Sequence, residues 1–322
     1  MDEKDPKANP AVPSTSPPIK PARSPQKREA AAIHRQLRLL DVLQNGDEQE
    51  LLITAQALIL CGLPYKPQTG AHYQRQAKTA RGLVRLTVSA LDPETPLPFG
   101  KDRVTLAWLT TKAIQTGNPV VEWDSASEFF ELFGLSRDGR TYRAFWESWK
   151  RLAKAAFLVE VVRTGQDSGR VAPILERWDL PTIRARRTEQ PGLVLLPSMR
   201  YGVELGRTLW GHLRVHPVPL PLAVMREFQD EPKAWDFVAF VTWRSYLCQQ
   251  VDGIARISWR DLVQQLGSQD KDHKRLRKTL KNILGRLRLA WPQVRVTFLA
   301  GGVLEVRPPT RGILPVKGHA ES

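Results

Sequence analysis

The sequence predicts an α+β chain in which one unit occurs twice: helix, short strand, short helix, turn, long amphipathic helix, hairpin. Three observations carry that expectation. An apolar block, Leu106-Ala107-Trp108-Leu109-Thr110-Thr111-Lys112, matches Val238-Ala239-Phe240-Val241-Thr242-Trp243-Arg244 class for class over most positions. Downstream of each block a Ser stands three residues before a carboxylate, and the same interval separates each Ser from a closing Gly. Each Gly then leads through a polar turn into a helix-period stretch that runs on into extended sequence.

Residues 1–29 hold Pro6, Pro10, Pro13, Pro17, Pro18, Pro21 and Pro25 among Ser, Lys and Ala. Such a stretch buries too little apolar surface to offset its ordering entropy and is expected to be a disordered tail. Residues 30–74 read as a helical extension: Leu37, Leu40 and Leu43 recur at three-residue steps, followed by Leu51, Leu52, Leu58 and Ile59. Pro64, Pro67 and Gly70 punctuate its end. The first repeated unit is expected over 75–197 and the second over 198–308, with a flexible C-terminus at 309–322. Within the first, Gly82–Ala90 alternates Val84, Leu86 and Val88 with Arg85, Thr87 and Ser89, which is strand period.

The short helix of the first unit starts near Ser125, with Glu128 at capping-box spacing, and ends at Gly134. In the second unit Ser258, Asp261 and Gly267 hold the corresponding places. Tyr142, Trp146, Trp149 and Ala153 share one face of the first long helix, and Leu276, Leu280, Ile283 and Leu287 one face of the second. Extended sequence follows at Leu158–Arg163 and at Val294–Leu299. The latter turns through Ala300-Gly301-Gly302 into Val303–Arg307, with glycines where a tight hairpin needs positive φ. This order is that of two tandem winged-helix domains, each a helix-turn-helix with a β-hairpin wing.

The chain carries 48 Lys and Arg against 33 Asp and Glu, a formal net charge of +15. That surplus favours a polyanionic partner, because each neutralised phosphate releases condensed counterions. Opposite the apolar stripe of the second long helix stand Lys271, Lys274, Lys278 and Lys281, with Arg275, Arg277 and Arg288 on the flanks. A major groove admits one helix, in which Arg reads guanine bidentately and Lys holds phosphate. Arg295 and Arg307 on the following hairpin are placed for flanking backbone. A lysine-rich helix face by itself is a solvated surface; the capped helix, Gly turn and wing around this one give it the exposed position of a DNA-reading motif. The first long helix carries Arg140, Arg143 and Lys150, with Arg151 and Lys154, but interleaved with Phe145, Trp146 and Trp149, which read as core. It is expected to bind DNA more weakly or to serve a protein contact. Arg184, Arg186 and Arg187 form a further basic run.

Catalytic readings lack support, and the chain is expected not to be an enzyme and to need no cofactor or metal. Gly100-Lys101 is followed by Asp102 and has no Gly five residues before it, so no P-loop is present. His212 and His216 are four apart, but the HExxH glutamate is missing and Pro217 follows. No His-apolar-His pair accompanies Tyr65, Tyr73, Tyr142, Tyr201 or Tyr246, as a strand-nicking site would require. Cys61 and Cys248 are far apart, which suits a reducing compartment, and no stretch approaches the roughly 18 unbroken apolar residues of a membrane span. A cytoplasmic bacterial protein that does not bind membrane is expected.

At Leu97-Pro98-Phe99-Gly100 and Leu106 to Ala113 the sequence resembles the plasmid-encoded RepA family of replication initiators. The resemblance continues at Ser127-Glu128-Phe129, Phe133-Gly134-Leu135 and Gly139-Arg140. It returns at His216-Pro217-Val218-Pro219-Leu220, Ile257-Ser258-Trp259 and the Gly-Gly hairpin, covering roughly residues 75–308. It implies binding to repeated double-stranded DNA sites (iterons) at a plasmid origin, and recruitment of a host replicative helicase or its loader. It also implies dimer contacts from the first winged helix, hence a homodimer, and major-groove contacts from the second. The same residues would serve a transcriptional regulator, and a basic scaffold meeting acidic protein is the reading from another class.

Overall fold

The computed structural model describes residues 51–79, 82–163, 166–180, 201–268 and 273–310. The expected tail, the leucine repeat at 37–43, the basic run Arg184–Arg187 and the C-terminal residues beyond 310 lie outside the described residues.

The helical extension expected through residue 74 is corrected where it is described. Leu51–Ala55 is a strand (β1), and only Gln56–Leu60 is helical (α1). The strand forms because Leu52 and Thr54 face Leu220 and Val218 of β9 (Pro217–Pro221), far downstream. Pro217, Pro219 and Pro221 fall on one parity of β9, so the positions without a donor share the edge that needs no partner. The outer edge of β1 is met by a helix: the Ile53 N–H donates to Thr111 Oγ1 at 2.7 Å, and the Thr110 hydroxyl donates to the Ile53 carbonyl. Local leucine spacing carries no trace of that remote strand.

Both repeated units have the same sheet order, and the same element order apart from two strands that follow the long helix in the first. In the first, α2 (Asp102–Thr116), β4 (Val120–Trp123), α3 (Ser127–Phe133) and α4 (Gly139–Ala153) lead to a three-stranded sheet ordered β4-β8-β7, with β7 Leu175–Asp179 and β8 Tyr201–Leu205. In the second, α7 (Pro232–Gln250), β10 (Ala255–Ser258), α8 (Trp259–Gln265) and α9 (His273–Ala290) lead to β10-β12-β11, with β11 Arg295–Leu299 and β12 Val303–Arg307. The first strand thus pairs with the last in each. The matched apolar blocks lie on α2 and α7 and are buried from Leu106 to Thr111 and from Val238 to Trp243. Around α2 the first core is aromatic, with Trp108 edge-on to Trp123, Phe129 and Trp149.

Two local expectations change. Ser125 does not cap α3, whose N-cap is Ala126; Ser125 Oγ accepts the Ser127 N–H at 3.3 Å, one residue too early in the chain. The extended run at 158–163 does not complete the first three-stranded sheet. It belongs to β5 (Ala155–Arg163), which pairs with β6 (Gln166–Pro173) and, through apolar matches such as Leu86 with Val159, with β3 (Gly82–Ala90). With β2 (His72–Thr79) these form an antiparallel sheet ordered β2-β3-β5-β6. Residues 201–205 lie past the expected boundary at 197, and pair within the first unit's sheet.

One buried polar knot ties the units together. Asp236 on α7 accepts from Arg75 Nη1 on β2 at 2.8 Å and from Arg103 Nη1 on α2. Arg75 also donates to Tyr73 Oη at 2.6 Å and to the Leu63 carbonyl at 2.7 Å; Arg103 donates to the carbonyls of Leu63 and Pro64, both at 2.9 Å. Gly267, at φ +55°, sits against this knot: a Cβ there would lie 2.6 Å from Arg75 Nε and 2.7 Å from Tyr73 Oη. Glycine is therefore required both for the left-handed turn after α8 and for the close approach of β2.

Candidate nucleic-acid interface

The helix pair of the second unit is fixed by its own sequence. Ser258 Oγ accepts the Asp261 N–H at 3.1 Å and donates to the Asp261 carboxylate at 2.7 Å, so the expected cap starts α8. Gly267 then turns the chain toward α9. Leu276, Leu280, Ile283 and Leu287 are all buried, which fixes the rotation of α9. Lys274, Lys278 and Lys281 consequently fall on the exposed side, with Arg275 and Arg288 exposed and Arg277 half-buried on the flanks. Lys271 lies outside the described residues. Gly285 shares the outward face with Lys278 and Lys281, and nothing lies within 4 Å of the place its Cβ would take.

At the C-terminal end of α9 the hairpin adds two guanidinium groups to that of Arg288. Arg288, Arg295 and Arg307 line a concavity of about 370 Å³ beside Thr297 and Glu305. Arg295 lies directly across from Arg307 in the strand register. Like charges so opposed destabilise a strand pair unless a counter-charge is supplied. Glu305 supplies part of it, accepting from Arg307 Nε at 2.7 Å and from Arg256 Nε at 2.9 Å. Those two hydrogen bonds hold its carboxyl below the usual glutamate range. Arg288 is oriented by donating to the Val296 carbonyl at 2.7 Å. Among the described residues lining the cleft, three Arg face one carboxylate, a balance suited to a phosphate oxygen. The hairpin itself turns through Gly301 at φ +76° and Gly302 at φ +75°, as its sequence requires.

The first unit presents a thinner basic face. Arg140, Arg143 and Lys150 are exposed on α4. Arg151 is turned inward: it grips Asp102 through two hydrogen bonds of 2.7 and 2.8 Å and lies over the Phe99 ring. Lys154 lies near Asp92 and over Trp178. Trp146 and Trp149 are buried in the aromatic core. The α4 residues are thus brought together on one helix of the first unit, while the α9 and hairpin residues form a continuous group in the second.

Arg256 was not legible as a member of this group. It stands on the four-residue strand β10 and reaches Glu305 only because β10 pairs with β12, Arg256 facing Glu305. The alternation Arg256, Ser258 against Ala255, Ile257 would have put Arg256 on the exposed face, but not beside a particular carboxylate. Among the described residues, no group of three or more His, Cys, Asp or Glu is placed to hold a metal, and no helix is long and apolar enough to cross a membrane.

No family model matches the chain, and no curated protein matches it. Among solved structures the chain is similar to a crystal structure of domains 2 and 3 of RctB. That similarity has a TM-score of 0.50 at 12% identity and covers 77% of this chain and 94% of that chain. A second crystal structure of RctB domains 2–3 shows the same identity and coverage with a TM-score of 0.45. At 12% identity the first likeness speaks to the fold, over more of the chain than either repeated unit occupies.

Proposed function

We propose that this chain is a non-enzymatic replication initiator whose two repeated units are winged helices that bind double-stranded DNA. In this reading α9 lies in a major groove, with Lys274, Lys278 and Lys281 toward the DNA and the flanking Arg275 and Arg277 at the groove walls. Arg288, Arg295 and Arg307 hold adjacent backbone phosphate, and Arg140, Arg143 and Lys150 of the first unit make weaker contacts. The observation that carries the reading is the junction of the exposed basic face of α9 with the three-arginine hairpin cleft, Arg288 belonging to both.

The fold likeness to RctB, a replication initiator of a bacterial chromosome origin, supports the broader class. The resemblance of Leu97–Gly100, Leu106–Ala113 and the Gly-Gly hairpin to plasmid RepA initiators supports the narrower one. On that reading repeated sites at a plasmid origin are the target, the first unit supplies homodimer contacts, and a host helicase or its loader is recruited. Opening of the origin follows from several copies bending DNA at a deformable A·T-rich stretch.

The test is duplex affinity as a function of salt. With about 6–8 phosphates contacted, log K should fall against log salt with a slope of about −5 to −7. Lys278→Glu/Lys281→Glu should flatten that slope by roughly 2 and weaken binding to every duplex, with an unchanged unfolding midpoint. A wild-type slope shallower than about −2 would overturn the electrostatic basis of the reading.

A further inference from the structure

A second concave surface, of about 490 Å³, lies between the β5–β6 hairpin and α5 (Arg207–Val215). Its sheet wall presents Ser168 and Arg170 from β6, an edge strand of its sheet, with Val159 and Val161 beside them. Its helix wall presents Thr208 and His212, four residues apart on one face, and His216, the residue that ends the helix, lines the cleft beside them. Between them Gly211 leaves space, since a Cβ there would meet nothing within 4 Å.

The strand register explains why this surface is basic. Val159 opposes Arg170 and Val161 opposes Ser168, so these four share one side of the sheet. Glu160 opposes Gly169 and belongs to the other side, where it pairs with Arg85. Among the described residues, no carboxylate lines the cleft. Burial, and then the neighbouring His216 and Arg170, hold the His212 imidazole below the usual histidine range. The groups that His212 meets there, His216 at the end of its helix and Arg170 on the facing strand, both disfavour its protonated form. Nothing in the DNA-binding reading uses them.

We propose that this cleft is a second anion site, which takes a phosphate group between Arg170, His216 and His212, with the Ser168 and Thr208 hydroxyls as further donors. A phosphate there supplies the negative charge that the lining lacks, and both histidines are donors when protonated. Affinity therefore rises as pH falls through the histidine range. The group can come from a small phosphate or nucleotide, or from a DNA backbone.

The test follows the imidazole resonances of His212 and His216 in the full-length, histidine-labelled protein. Inorganic phosphate, ADP and a short duplex are each titrated against sodium chloride of equal ionic strength. Phosphate binding should raise the apparent pKa of His212 by about one unit, a roughly tenfold preference of the anion for the protonated form. Arg170→Gln, at an exposed position, and Gly211→Leu, which fills the open space, should each remove the response while leaving the unfolding midpoint in place. A response to phosphate or ADP identifies a small-anion site, and a response to the duplex alone identifies a backbone contact. Shifts no larger than those with chloride for all three probes, or undiminished in Arg170→Gln, would overturn the proposal.

Discussion

Asp236→Asn isolates the knot that joins the two units. The side chain of Asp236 is 9% exposed and those of its partners Arg75 and Arg103 are 1% and 6% exposed, so both guanidinium groups rely on this carboxylate within a nearly dry site. Asparagine keeps the size but loses the charge, and turns one acceptor into an N–H that points at a guanidinium donor. Breaking a buried ion pair by removing one partner costs about 3–5 kcal/mol. Against a total stability of about 5–15 kcal/mol that is a large fraction. Urea unfolding followed by tryptophan emission should show the loss as a lowered midpoint. Adding Arg75→Met to Asp236→Asn should recover part of it, since one uncompensated charge then disappears; the coupling should be about 1–3 kcal/mol. A loss below about 1 kcal/mol for Asp236→Asn would refute the view that buried charge holds the units together.

Three further outcomes are expected. Gly285→Ala should stabilise α9 by up to about 1 kcal/mol, since glycine is a poor helix former and the new methyl meets nothing. If DNA lies close against this face, the same change should weaken duplex binding, and tighter binding would contradict the placement of α9. The Cys61 thiol is pushed up to about 12 by burial, against the opposing pull of Arg75. Roughly one thiol in ten thousand is then ionised at pH 8, so iodoacetamide should modify Cys61 only under unfolding conditions; rapid labelling of the native chain would count against its burial. His212 titrates below its unfolded value, so the folded state favours the neutral ring. Stability is unaffected above about pH 6.5 and declines as pH falls below it, because the unfolded chain takes up the proton first. Unfolding midpoints at pH 7.5 and 5.5 should show that decline, and His212→Gln should reduce it.

Signals carried by local geometry were legible in the sequence. Gly134, Gly267, Gly301 and Gly302 all take positive φ, and a turn of that kind selects glycine wherever it occurs. The stripe Leu276, Leu280, Ile283, Leu287 fixed which side of α9 faces outward, because helical period alone decides it. Ser258 caps α8 as its spacing predicts, whereas Ser125 stands two residues before α3 and does not. Contacts across long sequence separations were not legible. β1 pairs with a strand more than a hundred residues away, β8 closes the first sheet after a long connection, and the Arg75–Asp236–Arg103 knot draws one residue from each of three elements. The same limit hid Arg256, whose tie to Glu305 depends on strand pairing, and the inward turn of Arg151 onto Asp102. Charge along a helix can be counted from sequence; which cations are already paired depends on neighbours that only the fold supplies.

In the proposed function, α9 and its hairpin read repeated sites in DNA. A footprint on the DNA flanking the gene of this protein tests it most directly, with Lys278→Glu/Lys281→Glu as the paired control. Protection of evenly spaced repeats by the wild type, lost in the variant, is the predicted result. Protection of one isolated operator would instead indicate a transcriptional regulator. An absence of protection even at low salt, or protection unchanged in the variant, would contradict the assignment of α9 as the DNA-reading helix.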